Sequence, residues 1–152
     1  MKILVPVDES DYAKAVVEAV GELAKRYEAQ VLLLHVFNER KYKMYEQMYE
    51  EMNEEVKGAI PFRTAEDFEQ DATILAEGVG AGLKGKGLRA KALGRVGDPA
   101  EEIVKVAEAE KVDMIVIGSK GATNVERFLI GPTAKFVAEH AHCTVMIVKG
   151  KR

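Results

Sequence analysis

Two groups of residues in this 152-residue sequence could form a ligand site. Asp8-Glu9-Ser10 directly follows an apolar run, and a carboxylate in that position can accept hydrogen bonds from sugar hydroxyl groups. Gly118-Ser119-Lys120-Gly121 follows another apolar run, and Gly131 lies ten residues further on. Glycines allow close approach to the backbone, and a helix beginning after Gly131 would offer N–H groups and a positive dipole end to phosphate. Together the two groups predict a crevice the size of a mononucleotide.

Short apolar runs place both groups at the ends of strands. Residues 3–7, 31–37, 114–117 and 144–148 are rich in Val, Ile or Leu, which is typical of parallel strands covered on both faces. Residues 88–96 alternate apolar and charged side chains, which indicates an edge strand. Helical spacing fills the intervals, so the sequence predicts one α/β domain over residues 1–152. Ligands of such folds bind outside the carboxyl ends of the strands, where the strand order reverses.

Capping residues predict where the helices begin. The clearest start is Asp98-Pro99, because the aspartate can cap, proline suits the first helical position, and Glu101 is placed to complete a capping box. The other predicted starts are at Ser10, at about Thr64 and at Gly131-Pro132. The resulting order is β-α-β, an insertion, and then three α-β units.

The insertion, residues 38–61, has its own apolar pattern. Apolar side chains recur at helical spacing among Glu and Lys, which predicts one amphipathic helix. The recurring residues are Tyr42, Tyr45, Tyr49, Met52 and Val56. One interpretation is that this stripe packs on the body of the domain. The other is a lid or partner surface, since Met44, Met48 and Met52 add adaptable apolar area.

Other motifs are better explained by structure than by chemistry. Residues 80–86 satisfy most of a P-loop, but these glycines end a helix and precede a strand, the reverse of the order that phosphate binding needs. His140, His142 and Cys143 are too few for a closed zinc site, so no metal site is predicted. His35 is interpreted as a core residue with satisfied hydrogen bonds. Cys143 opens a buried strand and lacks the setting of a nucleophile.

Composition excludes several classes of protein. Apolar residues make up 47% and charged residues 31%, which is a soluble globular composition. The formal net charge of -3 argues against a nucleic-acid-binding protein. No apolar run is long enough for a membrane span, and the N-terminal residues are typical of a strand rather than a signal peptide. With one cysteine in the chain, we expect a cytoplasmic protein.

The motifs also carry a resemblance over nearly the whole chain. Ile3-Leu4-Val5-Pro6-Val7-Asp8-Glu9-Ser10 resembles the first strand and loop of the universal stress proteins, and residues 97–103 and 113–121 resemble that family's third helix and fourth strand. The spacing Gly118-x2-Gly121-x9-Gly131 is similar to the nucleotide-binding signature of its ATP-binding branch. The resemblance implies a Rossmann-like fold with strand order 3-2-1-4-5 and helices on both faces, and a homodimer formed through the last strand. An apolar strand at a sheet edge independently invites pairing.

The resemblance also assigns roles within the crevice. Pro6, Asp8 and the backbone of Val36 would hold adenine and ribose, and Gly118, Gly121 and the turn at Gly131 would hold the phosphates. The full set of nucleotide-binding residues that we predict is Pro6, Val7, Asp8, Val36, Ile117, Gly118, Ser119, Lys120, Gly121, Gly131, Pro132, Thr133 and Ala134. The ligand would be ATP or AMP, with Mg²⁺ as a companion of the phosphates.

One departure from the family pattern bears on the phosphates. The ATP-binding branch has a small hydroxyl residue directly after the last glycine, where this chain has Pro132, and Ala134 stands where another hydroxyl is common. Pro132 removes a side-chain oxygen and a backbone N–H, each worth about 1.5 to 3 kcal/mol when the acceptor is charged. Ser119, Lys120 and Thr133 would offset part of that loss. We therefore expect AMP to be favoured over ATP, or weak binding.

Three functions are compatible with these patterns. The first is a regulatory module that binds an adenine nucleotide and changes its shape or its affinity for a partner with occupancy. The second is a nucleotide-free dimer that acts only through protein contacts, which Pro132 favours. The third is an ATPase, which needs a metal ligand and a group that orients water, whereas only Asp8 and Glu9 are acidic at the strand ends. The sequence therefore predicts binding rather than turnover.

Overall fold

Five parallel strands form the sheet of the protein, in a computed structural model that describes residues 1–120 and 130–149. The strands are β1 (Lys2–Pro6), β2 (Gln30–Asn38), β3 (Ala90–Gly97), β4 (Met114–Gly118) and β5 (Thr144–Val148). Their order across the sheet is β3-β2-β1-β4-β5, and every neighbouring pair is parallel. The predicted fold class and strand order are confirmed, and so is the edge position of β3.

Helices cover both faces of this sheet and produce two cores. The helices are α1 (Asp11–Tyr27), α2 (Glu39–Glu50), α3 (Glu54–Ala59), α4 (Ala65–Gly85), α5 (Pro99–Ala109) and α6 (Pro132–His140). On one face, α1 and α4 bury residues such as Val16 and Leu83 against the sheet. On the other face, α5 and α6 bury residues such as Ile103 and Val137. The side chains of β1 and β2 alternate between the two cores, which explains why these strands are apolar on both faces.

The helices begin where predicted, but two of the predicted caps make fewer hydrogen bonds than expected. Thr64 and Asp67 form a full capping box at α4. At α5 the Asp98 side chain accepts from the Glu101 N–H, but within the described residues the Glu101 side chain makes no return bond, so the predicted capping box is only half formed. Ser10 does occupy the position before α1, but its side chain makes no cap hydrogen bond there. Its hydroxyl donates to the Asp8 carboxylate instead, because an acceptor two residues back competes with the helix N–H groups.

The prediction of one helix in the insertion is wrong. The insertion contains two helices, α2 and α3, because Asn53 starts a new helix by accepting a hydrogen bond from the Val56 N–H at 2.9 Å. Asn38 begins α2 in the same way, accepting from the Arg40 N–H. Asparagine stabilises a helix start better than a helix interior, so the continuous apolar spacing does not make one continuous helix.

An aromatic cluster packs the insertion against the body of the domain. We define this cluster by Phe37, Tyr42, Tyr45, Phe62 and Phe68. Phe68 of α4 stacks on Phe37 at 4.8 Å between ring centroids. Tyr42 and Tyr45 meet Phe68 in edge-to-face geometry, with ring centroids 5.4 and 5.1 Å from that of Phe68. The interpretation that the stripe packs on the domain is therefore confirmed for Tyr42 and Tyr45.

The glycine-rich segment at the end of α4 has the structural role that was predicted for it. Helix α4 continues to Gly85, the chain turns through Gly87 with a φ of 78°, and β3 begins at Ala90. That positive φ is accessible to glycine without strain, which is typical of a helix C-terminus. Among the helices in the described ranges, none is long and apolar enough to cross a membrane.

Candidate functional site

The crevice begins where β1 and β4 stop pairing. These strands are neighbours, but their paired residues are only Ile3 with Met114 and Leu4 with Ile115. On the other side of β1, pairing with β2 continues to the last strand residue, where Pro6 lies opposite Leu34. The carboxyl halves of β1 and β4 therefore separate at the point where α1 and α6 leave on opposite faces of the sheet. We call this opening the β1–β4 crevice, and it is the switch point of the strand order.

Pro6 explains why the pairing stops there. The Lys2 carbonyl accepts from the Asp113 N–H at 2.8 Å, so the even-numbered residues of β1 direct their backbone groups toward β4. The next donor in that direction after Leu4 would be the N–H of residue 6, and proline has none. Pro6 thus limits the hydrogen-bonded ladder and keeps the β1–β4 crevice open.

Asp8 lies at the mouth of the β1–β4 crevice, directly after β1. Its Oδ1 atom accepts from the Ser10 backbone N–H at 2.8 Å and from the Ser10 hydroxyl. This turn fixes the half-buried carboxylate ahead of the N-terminus of α1. Within the described residues Oδ2 makes no hydrogen bond, so it can accept from a ligand hydroxyl.

Val36 faces the same opening with backbone groups that make no hydrogen bond to β1 within the described residues. The Leu34 carbonyl accepts from the Val7 N–H at 2.8 Å, and alternate residues of a parallel strand face the same neighbour. The N–H and carbonyl of Val36 therefore point toward the β1 side, two residues beyond the end of its pairing with β1. An adenine ring needs such a donor and acceptor pair, which supports the predicted role of the Val36 backbone.

Val7 is predicted to bind the nucleotide, but both of its backbone polar groups are already hydrogen-bonded within the protein. Its N–H is bonded to Leu34, and its carbonyl lies 2.8 Å from Nδ1 of His35, which must be the donor because a carbonyl only accepts. The Val7 side chain is buried in the core beneath α1. His35 is thus satisfied, as predicted, but it also fixes the residue before Asp8. A histidine within an apolar strand, near the carboxyl end, was the signal for that role.

On the opposite side of the crevice, Ser119 connects the end of β4 to β5 and to Gly131, the residue before α6. Its N–H donates to the Val148 carbonyl at 2.9 Å, and its carbonyl accepts from the Gly131 N–H at 2.7 Å. A Cβ on Gly131 would lie 3.2 Å from that carbonyl, so glycine permits the close approach of the two backbones. The Gly131 N–H is therefore used inside the protein rather than offered to a phosphate, which narrows its predicted role to positioning α6.

The first turn of α6 supplies the free donors on this side of the crevice. Gly131 is the N-cap and makes no side-chain cap, and Pro132 at the first position has no N–H. The N–H groups of Thr133 and Ala134 come next, and in the described residues neither has a hydrogen-bond partner. The methyl group of Ala134 is buried in the core, so Ala134 can reach a ligand only through its N–H.

The remaining predicted residues fall into three groups. Ile117 is buried in the core beneath α5 and α6, so only its backbone can face the crevice. Gly118 ends β4 opposite Val148, and Lys120 follows Ser119 as a buried residue. Gly121 lies outside the described residues. The structure therefore brings the ends of β1, β2 and β4 and the start of α6 to one edge of the sheet.

His140 and Cys143, near the C-terminus, are accounted for without a ligand. His140 stacks on Phe136, and its Nδ1 donates to the Phe136 carbonyl at 2.8 Å. Burial raises the pKa of the Cys143 thiol, which disfavours the reactive thiolate. In the part of the chain that the structure describes, no group of three or more His, Cys, Asp or Glu side chains could hold a metal ion.

The comparison with family models covers residues 1–149, which match the model described as the universal stress protein family. This chain belongs to the universal stress protein family. The universal stress protein MJ0577 of Methanocaldococcus jannaschii is 33% identical over 158 residues, covering 99% of this chain and 95% of that protein. The solved structure of MJ0577 matches with a TM-score of 0.76 over 99% of this chain and 96% of the other.

Two more distant universal stress proteins have been solved with adenine nucleotides. The protein from Archaeoglobus fulgidus, in complex with dAMP, is 23% identical, with a TM-score of 0.60 and 98% coverage of both chains. The Arabidopsis thaliana protein with AMP bound is 22% identical, with a TM-score of 0.63 over 99% of this chain and 92% of the other. At these identities the likeness to the present chain is one of fold.

Proposed function

We propose that this universal stress protein is a regulatory module that binds an adenine nucleotide, AMP or ATP, in the β1–β4 crevice. The observation that carries the proposal is the early end of β1–β4 pairing, which leaves unpaired polar groups on both sides of one opening. The AMP and dAMP complexes of the two distant family members support an adenine nucleotide as the ligand.

The β1 side would bind adenosine. Adenine is a flat ring with a donor and acceptors along one edge, which the N–H and carbonyl of Val36 complement. A ribose hydroxyl would donate to Oδ2 of Asp8, whose other oxygen is held by Ser10. A carboxylate fixed by its own turn loses little freedom on binding, so its bond to a hydroxyl is effective.

The β4 side would bind phosphate, and its donors favour a short phosphate chain. A helix start ordinarily offers up to four N–H groups, but Gly131 uses one for Ser119 and Pro132 lacks one. The donors that remain on α6 are the N–H groups of Thr133 and Ala134, aided by the helix dipole. Two donors suit one phosphate better than three, so we expect AMP to bind at least as tightly as ATP.

Binding without turnover is the activity proposed for this site. Hydrolysis of ATP requires a ligand for Mg²⁺ and a group that positions the attacking water. Asp8 is held by Ser10 and is assigned to the ribose, and the side chain of Glu9 is exposed to solvent. In this proposal any Mg²⁺ accompanies the phosphates and contributes charge neutralisation. Steady release of phosphate from ATP that stops in Asp8→Ala would overturn this part.

The test of nucleotide binding is native mass spectrometry of the purified protein, followed by calorimetric titration. The ligands are adenosine, AMP, ADP and ATP, the last two with and without Mg²⁺. We expect micromolar binding of AMP, and affinity that does not increase with the number of phosphates. Absence of binding by all four ligands would contradict the proposal.

A second candidate function is a nucleotide-free protein that acts through contacts alone, and exposed apolar surface favours it. Met44 and Met48 lie on the outer face of α2, and Met44 is 70% exposed. The role of these residues as a lid or partner surface stays a prediction. A folded protein that binds none of the four ligands would favour this candidate.

Homodimerisation through β5 belongs to both candidates. Strand β5 is paired with β4 along Thr144–Val148 and lies at the edge of the sheet, with most of its side chains half-buried. A second copy could pair there and cover the apolar residues of the strand. The proposed dimer acts in the cytoplasm, where a lone cysteine stays reduced. Sedimentation as a monomer at micromolar concentration would contradict the dimer.

A further inference from the structure

Lys120 is a buried cationic residue that follows the end of β4, the strand on one side of the β1–β4 crevice. Only 8% of its surface is exposed, and Nζ is buried as well. Within residues 1–120 and 130–149, Nζ has no hydrogen-bond partner and Lys120 forms no ion pair. Every other charged side chain whose burial the structure describes is exposed or half-buried, which sets Lys120 apart from them.

An ammonium group in this state is unfavourable for the protein on its own. Removal of a charge from water is compensated only when an opposite charge or several acceptors replace the lost hydration. Lysine ordinarily keeps its ammonium group in water even when its methylene chain is buried. A lysine that does not do so is placed to receive an anion, as residues at ligand sites often are.

The position of Lys120 indicates which anion it would receive. It directly follows Ser119, whose carbonyl accepts from the Gly131 N–H, and a Cβ on Gly131 would lie 3.7 Å from the Cα of Lys120. Lys120 is therefore adjacent to the N-terminus of α6, where the free N–H groups and the dipole attract negative charge. Two independent features, a buried cationic residue and a helix start, are therefore adjacent in the backbone.

From these features we infer that Lys120 is the residue that makes the site selective for phosphate-bearing ligands over the nucleoside. The inference rests on the proposed adenine-nucleotide site and deepens it. The ammonium group of Lys120 binds the phosphate oxygens and replaces the donor that Pro132 removes from the α6 start. The adenosine contacts of Asp8 and Val36 do not involve Lys120.

The test compares two ligands that differ only in the phosphate. Lys120→Met keeps the length and apolar character of the side chain and removes its charge. We expect AMP to bind this variant about 10- to 100-fold more weakly, while adenosine binds within about 2-fold of the wild-type affinity. Lys120→Arg keeps the charge and should restore part of the AMP affinity. Calorimetric titration measures these affinities for the wild type and both variants.

The matched control is Lys135→Met. Lys135 lies in the same helix, α6, but its side chain is exposed, so removal of the same charge should change AMP affinity by less than about 3-fold. A second readout is the thermal midpoint of the ligand-free protein. Because Lys120 is buried without a partner, Lys120→Met should be at least as stable as the wild type. If Lys120 instead stabilised the fold, the thermal midpoint of Lys120→Met would lie below that of the wild type.

The outcomes separate this inference from the proposed function. If wild type binds AMP and Lys120→Met binds it equally well, the inference fails and the nucleotide site stands. If Lys120→Met loses AMP and adenosine equally, Lys120 shapes the pocket and the inference also fails. If wild type binds neither ligand, the proposed function fails, and a thermal shift with inorganic phosphate decides whether Lys120 holds an anion at all. Should Lys120→Met not fold, equal wild-type affinities for AMP and adenosine would overturn the inference.

Discussion

Two neighbouring strand pairs end differently at the same edge of this sheet. Pairing of β2 with β3 continues through eight residues to Asn38 and Gly97, and the aromatic cluster covers this end. Pairing of β1 with β4 stops after two residues, and polar groups surround the gap. The first end is closed by ladder hydrogen bonds and aromatic packing. The second is left open, and its polar groups are satisfied by short turns or are free for a ligand.

The difference shows how one fold separates stability from binding. At the closed end, the face of Phe68 also receives the Arg63 guanidinium, 4.6 Å from the ring centroid, and Arg63 pairs with Asp71 at 2.7 Å. At the open end, Pro6 withholds a ladder donor and Lys120 is buried without a partner in the described ranges. Substitutions at the closed end should therefore change stability, and substitutions at the open end should change affinity.

The largest effect is expected at the closed end, from Phe68→Ala. Phe68 contacts Phe37, Tyr42 and Tyr45, so its loss removes several aromatic contacts and leaves a cavity. We expect the free energy of unfolding to fall by about 2 to 3 kcal/mol, measured by urea denaturation, with AMP affinity unchanged. The control is Ile74→Ala on the same helix, since Ile74 is 64% exposed and should cost less than about 0.5 kcal/mol. Equal losses in the two variants would show that the cluster does not hold the insertion.

At the open end, the counterpart is Asp8→Asn. This change keeps the shape of the side chain but removes the charge that would accept from ribose. We expect AMP and adenosine to bind about 10- to 100-fold more weakly, with a loss of stability smaller than that of Phe68→Ala. Glu9→Gln is the matched control, because it removes the neighbouring charge from an exposed side chain. If Glu9→Gln weakens binding as much as Asp8→Asn, net charge rather than a ribose contact governs affinity.

The closed end and the sheet were largely predictable from sequence, because their signals are periodic. Apolar runs, typical of strands covered on both faces, predicted the strands. Helix starts were predicted at about Thr64 and at Asp98, and the structure confirms both. The break between α2 and α3 was missed, since Asn53 lies within an apolar spacing that continues across it. Periodicity describes which residues face the body and does not reveal where a helix is restarted.

The open end was predictable in its location but not in its details. The residue types of Asp8 and Gly131 indicated a ligand site at the strand ends, which is where the structure brings them. The Gly131 N–H donates to Ser119, and Pro6 ends the hydrogen-bonded ladder between β1 and β4. Both features depend on strand register, which the sequence does not encode locally. The burial of Lys120 depends likewise on how the helices pack around the end of β4.

A smaller effect is expected when the open end is made more like the closed one, by Pro6→Ala. Alanine restores the N–H that faces β4, so the ladder can extend by one hydrogen bond and narrow the β1–β4 crevice. Because that bond must break when a ligand enters, and a ladder bond is worth about 1 kcal/mol, AMP affinity should fall about 5-fold. Hydrogen exchange of the new amide, measured with and without AMP, reports whether the bond forms. A protected amide with unchanged AMP affinity would mean that ladder length does not set the width of the crevice.

The smallest effect concerns the start of α4, which carries the aromatic cluster's Phe68. Hydrogen bonds from Thr64 lower the pKa of the Asp67 carboxyl below its usual 3.8. Because the pKa is lower in the folded protein, the ionised Asp67 carboxylate contributes its full stabilisation at a pH above the pKa of the unfolded state. This stabilisation is lost as the pH falls through the pKa of the folded state. Denaturation at pH 6 and pH 3 should therefore show a smaller loss of stability on acidification for Asp67→Asn than for the wild type. Glu77→Gln, an exposed carboxylate in the middle of the same helix, is the control; an equal change there would assign the acid sensitivity to overall charge rather than to the cap.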